Sequence, residues 1–264
     1  MKKNILLTGA TDGIGKVTAA KLVEAGHQVL VHGRSEEKLA STIAMLEALP
    51  GDGRVEGYLA DLSDMKAVTR LASEVAEKHS HLDTLINNAG VLKSPRSITD
   101  DGLDIRFAVN TVAPYLLAKQ LLPALDESSR VVNVASAAQA PFNASDLVCD
   151  KKLADMDAYA QSKLGIIMWG NSLAGKQPNG PAYIAVNPGS LLASKMVKEG
   201  FGIEGKSLDI GADILCSATL DESFSSASGK YFDNDSGAFA NPLPDALDMA
   251  KCDEVVRVLE SVVN

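Results

Sequence analysis

Clustered basic residues, paired cysteines and long apolar runs are all missing from this chain of 264 residues. The net charge of -9 and the pI near 5.0 argue against a nucleic-acid partner, because phosphate backbones are bound through clustered Lys and Arg. Cys149, Cys216 and Cys252 lack the spacing of a zinc site or a redox motif, so free thiols are expected. The four histidines form no HxxxH or HExxH pair, so no metal is expected.

The apolar run at the amino end is short, because it spans residues 4–8 and stops at Gly9. Neither a signal-peptide core nor a membrane span fits into this length. We therefore expect a cytoplasmic protein without a membrane partner. The hydrophobic content of 46% with 22% charged residues is typical of a globular protein with a sizeable core.

Strand-length apolar runs alternate with helical patterns along the whole chain. Strands are predicted at 4–8, 28–32, 55–60, 84–87, 130–135, 183–186 and 230–232. Helices are predicted at 14–25, 35–49 with Ser35 as N-cap, 64–79, 100–125, 157–174, 207–220 and the carboxyl end. Strands separated by helices of this length join through crossovers that cover both faces of a parallel sheet. The pattern predicts one α/β domain over residues 1–264, with loops at 137–157, 188–206 and 233–245.

The turn between the first strand and the first helix is rich in glycine. It reads Thr8-Gly9-Ala10-Thr11-Asp12-Gly13-Ile14-Gly15. Glycine allows a tight turn that brings backbone N–H groups near a pyrophosphate, and the helix N-terminus adds about half a positive charge. The segment indicates a dinucleotide site, although glycines that merely close a tight turn would give the same letters.

Tyr159 and Lys163 are four residues apart in a predicted helix, so their side chains share one face. A tyrosine has an unperturbed pKa of about 10, and a nearby ammonium favours the phenolate, which brings that pKa closer to working pH. Tyr159 is therefore a candidate for proton exchange with a substrate. Taken alone, the Y-x-x-x-K spacing is more often a chance surface pattern.

Three motifs together resemble the short-chain dehydrogenase/reductase family over nearly the whole chain. They are G-x-x-x-G-x-G at Gly9 to Gly15, Asn87-Asn88-Ala89-Gly90, and Tyr159-x-x-x-Lys163. The resemblance implies a single-domain Rossmann-type fold, which is a doubly wound parallel sheet with helices on both faces. It also implies hydride transfer between a nicotinamide cofactor and a carbonyl or alcohol, with Tyr159 as general acid/base.

The same resemblance implies further roles at the catalytic centre. Lys163 would hold the nicotinamide ribose hydroxyls, Asn110 would support Lys163 through an ordered water, and Ser136 would bind the substrate oxygen. For Ser136 a helix cap or a loop hydroxyl is the alternative role.

Other segments that resemble the family's pattern would touch the cofactor. The Ala89-Gly90 backbone would lie close to it, with Asn87 and Asn88 tying neighbouring strands together. The pair Asp61-Leu62 would contact the adenine ring, unless Asp61 is an N-cap. The Pro188-Gly189 backbone would border the nicotinamide carboxamide. Where the family often has a threonine this chain has Ala193, followed by Ser194.

The end of the second predicted strand bears on the choice of cofactor. In the family an acidic residue here favours NAD and a basic one NADP. This chain has Arg34, with Lys38 one helical turn further, and both could pair with a 2′-phosphate. NADP(H) is therefore favoured over NAD(H). Asp12 stands where NADP-using relatives often have a basic residue, and its charge would repel a nearby phosphate.

The gap from Ser136 to Tyr159 is 159 minus 136, or 23 residues, longer than in the commonest family members. This gap and Arg34-x-x-x-Lys38 resemble the retinol dehydrogenase and carbonyl reductase branch. A small-molecule carbonyl or alcohol is the expected substrate, with its specificity set by 137–157 and 188–206. A homodimer or homotetramer could form through the helices of Asn110 and Tyr159, where the run 166–169 serves an interface or the core. The alternative function is a dinucleotide-sensing or scaffold protein without turnover.

Overall fold

One sheet runs through the computed structural model, which describes residues 2–147 and 153–263. Its strands are β1 (Asn4–Leu7), β2 (Gln28–Gly33), β3 (Arg54–Leu59), β4 (Thr84–Asn87), β5 (Arg130–Val134), β6 (Ala182–Asn187), β7 (Lys230–Asp233) and β8 (Ala238–Ala240). The order across the sheet is β3-β2-β1-β4-β5-β6-β7-β8. From β3 to β7 neighbouring strands are parallel, whereas β8 pairs antiparallel with β7 through Tyr231↔Ala240. The predicted parallel sheet is confirmed, and β8 was missed inside the loop predicted at 233–245.

Helices connect the strands on both faces of the sheet. They are α1 (Gly13–Glu24), α2 (Glu36–Glu47), α3 (Met65–Lys78), α4 (Ile105–Phe107), α5 (Ala113–Gln120), α6 (Asp155–Lys176), α7 (Lys195–Phe201), α8 (Leu208–Leu220) and α9 (Met249–Val263). The predicted N-cap is confirmed, because the Ser35 side chain accepts a hydrogen bond from the Lys38 N–H.

Two helix predictions need correction. The helix predicted at 100–125 is interrupted, because a π-helix at Ala108–Val112 separates α4 from α5. The loop predicted at 188–206 contains α7, whose N-cap is Ser194. This helix has only seven residues and includes Gly200, so its apolar periodicity is too short to predict a helix from the sequence.

The two sides of β1 bury different helices. Leu6 belongs to a core with α3, α5, α6 and α9, whereas Ile5 and Leu7 belong to a core with α1, α2 and α8. Successive strand residues point to opposite faces, so an apolar run is what a sheet covered on both faces requires. The crossovers leave the carboxyl ends of the strands free of helices at the point between β1 and β4 where the strand order reverses, and ligands bind there in such sheets.

The terminal helix α9 covers the surface of α5 and α6. Ser172 Oγ donates to Asp253 Oδ1 at 2.6 Å, and Lys119 Nζ lies 2.5 Å from Glu260 Oε2. The apolar run 166–169 is buried inside the chain, so of its two predicted roles it has the core role. The other role left open, at an interface with a second copy, would need these side chains to be exposed, and they are at most 2% exposed.

Candidate active site

The glycine-rich turn joins β1 to α1 at the carboxyl edge of the sheet. Gly9 and Gly13 have φ angles of +66° and +52°, a region that favours glycine. A Cβ at Gly9 would lie 2.8 Å from the Ala89 Cα, and one at Gly15 would lie 2.3 Å from the Gly9 carbonyl oxygen. The turn, which we call the glycine cradle, therefore has no room for a side chain at Gly9 or Gly15, and its backbone fits the close approach of a pyrophosphate.

Asn88 fastens this cradle to β4. Its Nδ2 donates to the carbonyl oxygens of Thr8 at 2.9 Å and Gly9 at 3.1 Å. Thr8 Oγ1 in turn accepts from the N–H groups of Asn88 and Ala89, at 3.0 and 3.1 Å. One strand further, Asn87 Nδ2 donates to Asn133 Oδ1 at 2.9 Å. Both asparagines thus tie strands together, as we predicted.

His32, at the end of β2, also holds the cradle, and the sequence motifs did not reveal this role. Its Nδ1 accepts from the Gly9 N–H at 3.2 Å, and its Nε2 lies 3.0 Å from the Ala60 carbonyl oxygen. A neutral ring protonated at Nε2 satisfies both contacts. Burial lowers the pKa of His32 from 6.5 to about 4. The signal that could have indicated this role is a histidine inside a predicted buried strand, two positions before Arg34.

We expect His32 to make the protein sensitive to acid. The unfolded chain binds a proton here near pH 6.5 and the folded chain only near pH 4. Stability that is complete above pH 6.5 is therefore lost as the pH falls toward 4, by about 3 kcal/mol from pH 7 to pH 4. Urea unfolding of the wild type and of His32→Gln across this range measures the loss. Curves that fall in parallel for the two proteins would contradict the assignment.

The side chains predicted to contact the adenosine lie at the ends of β2 and β3. Arg34 is exposed and, within the described chain, has no hydrogen-bond or ion-pair partner. Lys38 Nζ lies 3.0 Å from Asp12 Oδ2, and Asp12 also accepts from the Gly13 N–H at 2.8 Å as the N-cap of α1. The Lys38 ammonium thus compensates the negative charge of Asp12, which we expected to repel a nearby phosphate.

Asp61 and Leu62 follow β3. Asp61 Oδ1 accepts from the N–H and Oγ of Ser63, at 2.9 and 2.8 Å, while Leu62 is buried. The alternative role of Asp61 as an N-cap is wrong, because the side chain that caps α3 is Asp64. Near the other end of the cradle, Thr11 packs on Gly33, where a Cβ would lie 2.4 Å from the Thr11 Cγ2.

Tyr159 and Lys163 lie side by side on α6, as their spacing predicted. The side chain of Ser136, which follows β5, lies close enough to the Tyr159 hydroxyl to lower its pKa. The Lys163 Nζ lies 5.7 Å from the centre of the Tyr159 ring and donates to the Val134 carbonyl oxygen at 2.6 Å. The fold therefore brings together three residues that are separated by up to 27 positions, 163 minus 136, in the sequence.

The electrostatics of this pair differ from the expectation. Burial raises the pKa of Tyr159, and the neighbouring Ser136 side chain is the contribution that lowers it. We expected Lys163 to bring the pKa of Tyr159 toward working pH, and within the chain alone this does not happen. Burial also lowers the pKa of Lys163 to about 8. At neutral pH the site holds a protonated phenol beside an amine close to its titration range.

Asn110 lies on the π-helix, a distortion that occurs often at functional sites. Its Oδ1 accepts from the Val91 N–H at 2.8 Å, and its Nδ2 donates to the Val91 carbonyl at 3.0 Å and to Ser162 Oγ at 2.9 Å. A Cβ at Gly90 would lie 3.5 Å from Asn110 Oδ1 and 3.6 Å from Lys163 Nζ. Gly90 therefore keeps space open between the asparagine and the lysine.

Two residues that the sequence did not indicate hold Ser136 in place. The Ser136 carbonyl oxygen accepts from Gln139 Nε2 at 3.0 Å and from the Tyr231 hydroxyl at 3.3 Å. Its side-chain oxygen accepts from the Ala138 N–H at 3.1 Å. Tyr231 belongs to β7, so no local pattern could have linked it to a serine 95 positions earlier.

The Pro188-Gly189 turn leads from β6 to α7. Gly189 has a φ of +120°, and Asn234 Nδ2 holds the Pro188 carbonyl at 3.0 Å. Ser194 caps α7 by accepting from the Val197 N–H at 3.3 Å, and a Cβ at Gly13 would lie 3.8 Å from the Ser194 Cβ. The segment 188–206 therefore begins its helix next to the glycine cradle.

Two negative findings concern residues 2–147 and 153–263. None of the helices there combines the length and apolarity that a bilayer crossing needs. Histidine, cysteine and carboxylate side chains form no metal-binding group of three within those ranges. The predicted free thiols of Cys216 and Cys252 are both present, while Cys149 lies outside the described residues.

Comparisons with known proteins agree with this arrangement. Residues 3–201 match the family model for short chain dehydrogenase. Retinol dehydrogenase 13 from Homo sapiens is 30% identical over 251 residues, which cover 88% of this chain and 76% of that protein. A crystal structure of an uncharacterized protein from Mycobacterium paratuberculosis covers 99% of this chain and 93% of its own at 25% identity, with a TM-score of 0.83.

A second solved structure carries a cofactor. The short chain dehydrogenase from Burkholderia cenocepacia J2315 in complex with NADP is 28% identical, covers 88% of this chain and 95% of its own, and has a TM-score of 0.69. The family match covers three quarters of the chain, and the human relative is matched over most of both lengths. The chain therefore belongs to the short-chain dehydrogenase/reductase family, in the branch of the retinol dehydrogenases, and is an NAD(P)-dependent enzyme acting on alcohol or carbonyl groups.

Proposed function

We propose that this enzyme uses NADP(H) to interconvert a small-molecule carbonyl compound and its alcohol, with Tyr159 as the general acid/base. The proximity of the Tyr159 hydroxyl to the Ser136 side chain, beside the Lys163 amine, carries the proposal. When bound, the nicotinamide supplies or takes up the hydride. In reduction, the Tyr159 hydroxyl gives its proton to the substrate oxygen and Ser136 donates a hydrogen bond to that oxygen.

The protonation state of Tyr159 is compatible with the direction of reduction. A phenol is protonated at neutral pH, and burial favours that form further, so Tyr159 begins the reaction with the proton that it donates. The Lys163 ammonium stabilises the phenolate that remains after the proton transfer. The same ammonium would bind the ribose hydroxyls of the cofactor. Asn110 keeps α6 and the segment after β4 at a fixed separation through Ser162 and Val91.

The chain's own groups fit a dinucleotide. The glycine cradle offers backbone N–H groups at the positive end of α1, and His32 and Asn88 hold its shape. We assign the contacts with the pyrophosphate to Gly9, Thr11, Gly13, Ile14 and Gly15. The N–H groups of Gly9 and Gly13 already donate to His32 and Asp12, so these two glycines would contribute close approach and not a hydrogen bond. The preference for NADP rests on Arg34, an exposed guanidinium that is free to form a bidentate contact with a 2′-phosphate. The Burkholderia relative, which binds NADP, supports the same choice.

The Arg34→Ala variant tests this preference. We expect the Kd for NADPH to rise about 20-fold, because a charge-assisted hydrogen bond to the phosphate is lost. The Kd for NADH, which lacks that phosphate, should stay the same. Titration calorimetry with both cofactors measures the difference, and Arg96→Ala, a second exposed arginine, serves as control. Equal weakening of both cofactors would contradict the role of Arg34.

The function itself is tested by the oxidation of NADPH and, separately, of NADH in the presence of aldehydes, ketones and diketones. All-trans-retinal belongs in the panel because a relative is named retinol dehydrogenase 13. Turnover with NADPH is the expected result. Tight NADPH binding without turnover of any substrate would favour the alternative, a dinucleotide-sensing or scaffold protein.

A further inference from the structure

Arg106 is a fully buried arginine to which the proposed chemistry gives no part. Its Nη2 lies 2.5 Å from Asp104 Oδ2, and its Nη1 lies 2.6 Å from Asp155 Oδ1. The guanidinium and the Asp104 carboxylate are both withdrawn from water, whereas the side chain of Asp155 is 38% exposed. A charge is costly to bury without a partner, so this arrangement needs a structural or functional reason.

The Asp155 contact joins the two segments that carry the proposed active site. Arg106 lies in α4, which continues directly into the π-helix of Asn110. Asp155 is the first residue of α6, four positions before Tyr159. Further along the contact between these two segments, Ser162 accepts a hydrogen bond from Asn110 at 2.9 Å. The ion pair thus fixes the start of α6 to a segment that already holds its middle.

The start of α6 lacks the usual means of anchorage. Its N-cap position is Ala154, which offers no side-chain hydrogen bond to the first turn. The first N–H groups of a helix have no partner inside the helix, and alanine is a poor cap, so an uncapped first turn frays easily. Tyr159 follows immediately after this turn, where fraying would displace its hydroxyl from Ser136.

We propose that Arg106 is a positioning residue, which anchors the first turn of α6 through Asp155 and thereby keeps Tyr159 aligned with Ser136 and Lys163. The inference rests on the proposed role of Tyr159. Arg106 touches neither substrate nor cofactor in this scheme and acts only through the helix. The anchor takes the place of the missing N-cap side chain.

The test is made at Asp155, because removing Arg106 itself would leave the Asp104 carboxylate buried without a cation. Asp155→Ala removes the anchor at its partly exposed end. Asp157→Ala is the matched control, since this carboxylate lies in the same first turn, is exposed and has no side-chain partner in the described chain. Both variants lose a negative charge at the positive end of α6, so their difference isolates the contact with Arg106.

We expect kcat to fall about 10-fold in Asp155→Ala, because a small displacement of a reacting group is costly, while the Kd for NADPH stays the same. Asp157→Ala should keep the wild-type kcat. Asp155→Glu, which restores a carboxylate, should recover most of the lost activity. Equal kcat values for the two alanine variants, or a Kd that rises as kcat falls, would overturn the positioning role.

A second measurement does not depend on turnover. Hydrogen exchange of the backbone amides at 156–160 should be faster in Asp155→Ala than in Asp157→Ala, because only the former loses the anchor. Equal exchange in both variants would overturn the proposal. If the wild type proves inactive, the proposed function fails, and the exchange rates still decide whether Arg106 anchors the helix. If exchange accelerates without a loss of kcat in an active enzyme, the anchor does not position Tyr159 and the proposal is overturned.

Discussion

The Tyr159→Phe variant is expected to lose about 1000-fold in kcat, because the phenolic hydroxyl is the proton donor of the proposed reaction. Phenylalanine keeps the ring that lies beside Lys163 and removes only the hydroxyl that lies next to Ser136. The Kd for NADPH should therefore change little. Single-turnover oxidation of NADPH at saturating substrate measures the step, and fluorescence titration measures cofactor binding in the same preparation.

A second tyrosine provides the control for this experiment. Tyr183 is buried near the amino end of β6, opposite the carboxyl edge that carries the site, and its hydroxyl donates to Gln177 Oε1 at 2.8 Å. Tyr183→Phe also removes one buried hydroxyl, so it should cost about 1 kcal/mol of stability and leave kcat unchanged. Similar kcat values for the Tyr159→Phe variant and the wild type would exclude Tyr159 as the proton donor.

Local patterns were sufficient to predict the parallel sheet, and together with the family resemblance they indicated the candidate site residues. Strands buried on both faces are short apolar runs, and β1 is such a run directly before the glycine turn. Tyr159 and Lys163 were singled out by their spacing together with the family resemblance, and a separation of four places them on a common face of any helix. In each case the information lies within a few neighbouring positions.

The features that could not be predicted from the sequence depend on contacts between residues that are far apart in the chain. His32 holds Gly9, Tyr231 holds Ser136, and Arg106 holds Asp155, yet the members of each pair are separated by 23, 95 and 49 positions. The short strand β8 was missed for the same reason, since its three exposed residues form a strand only by pairing with β7. The pKa of Tyr159 depends on its burial, and burial emerges only from the complete fold.

The Gly15→Ala variant is expected to lose the cofactor site and part of the stability of the fold. Gly15 is helical and needs no special φ angle, so the effect comes from space alone. Its new Cβ would lie 2.3 Å from the Gly9 carbonyl oxygen and 2.4 Å from Asn88 Nδ2. The first of these atoms is backbone, and the second is held by its own bonds to Thr8 and Gly9. Relief of the clash therefore requires the cradle to open.

Opening the cradle breaks the contacts that tie it to β4 and moves its N–H groups away from the pyrophosphate. We expect a loss of about 3 kcal/mol in the free energy of unfolding and a rise of about 100-fold in the Kd for NADPH. Urea unfolding and calorimetric titration of the folded variant measure the two effects.

Gly175→Ala is the matched control, because it adds the same methyl group to α6 with 3.5 Å to the nearest atom. That variant should gain about 0.5 kcal/mol and bind NADPH normally, since alanine has the higher helix propensity. If the two variants bind NADPH equally well, the close approach at Gly15 is not what shapes the cofactor site.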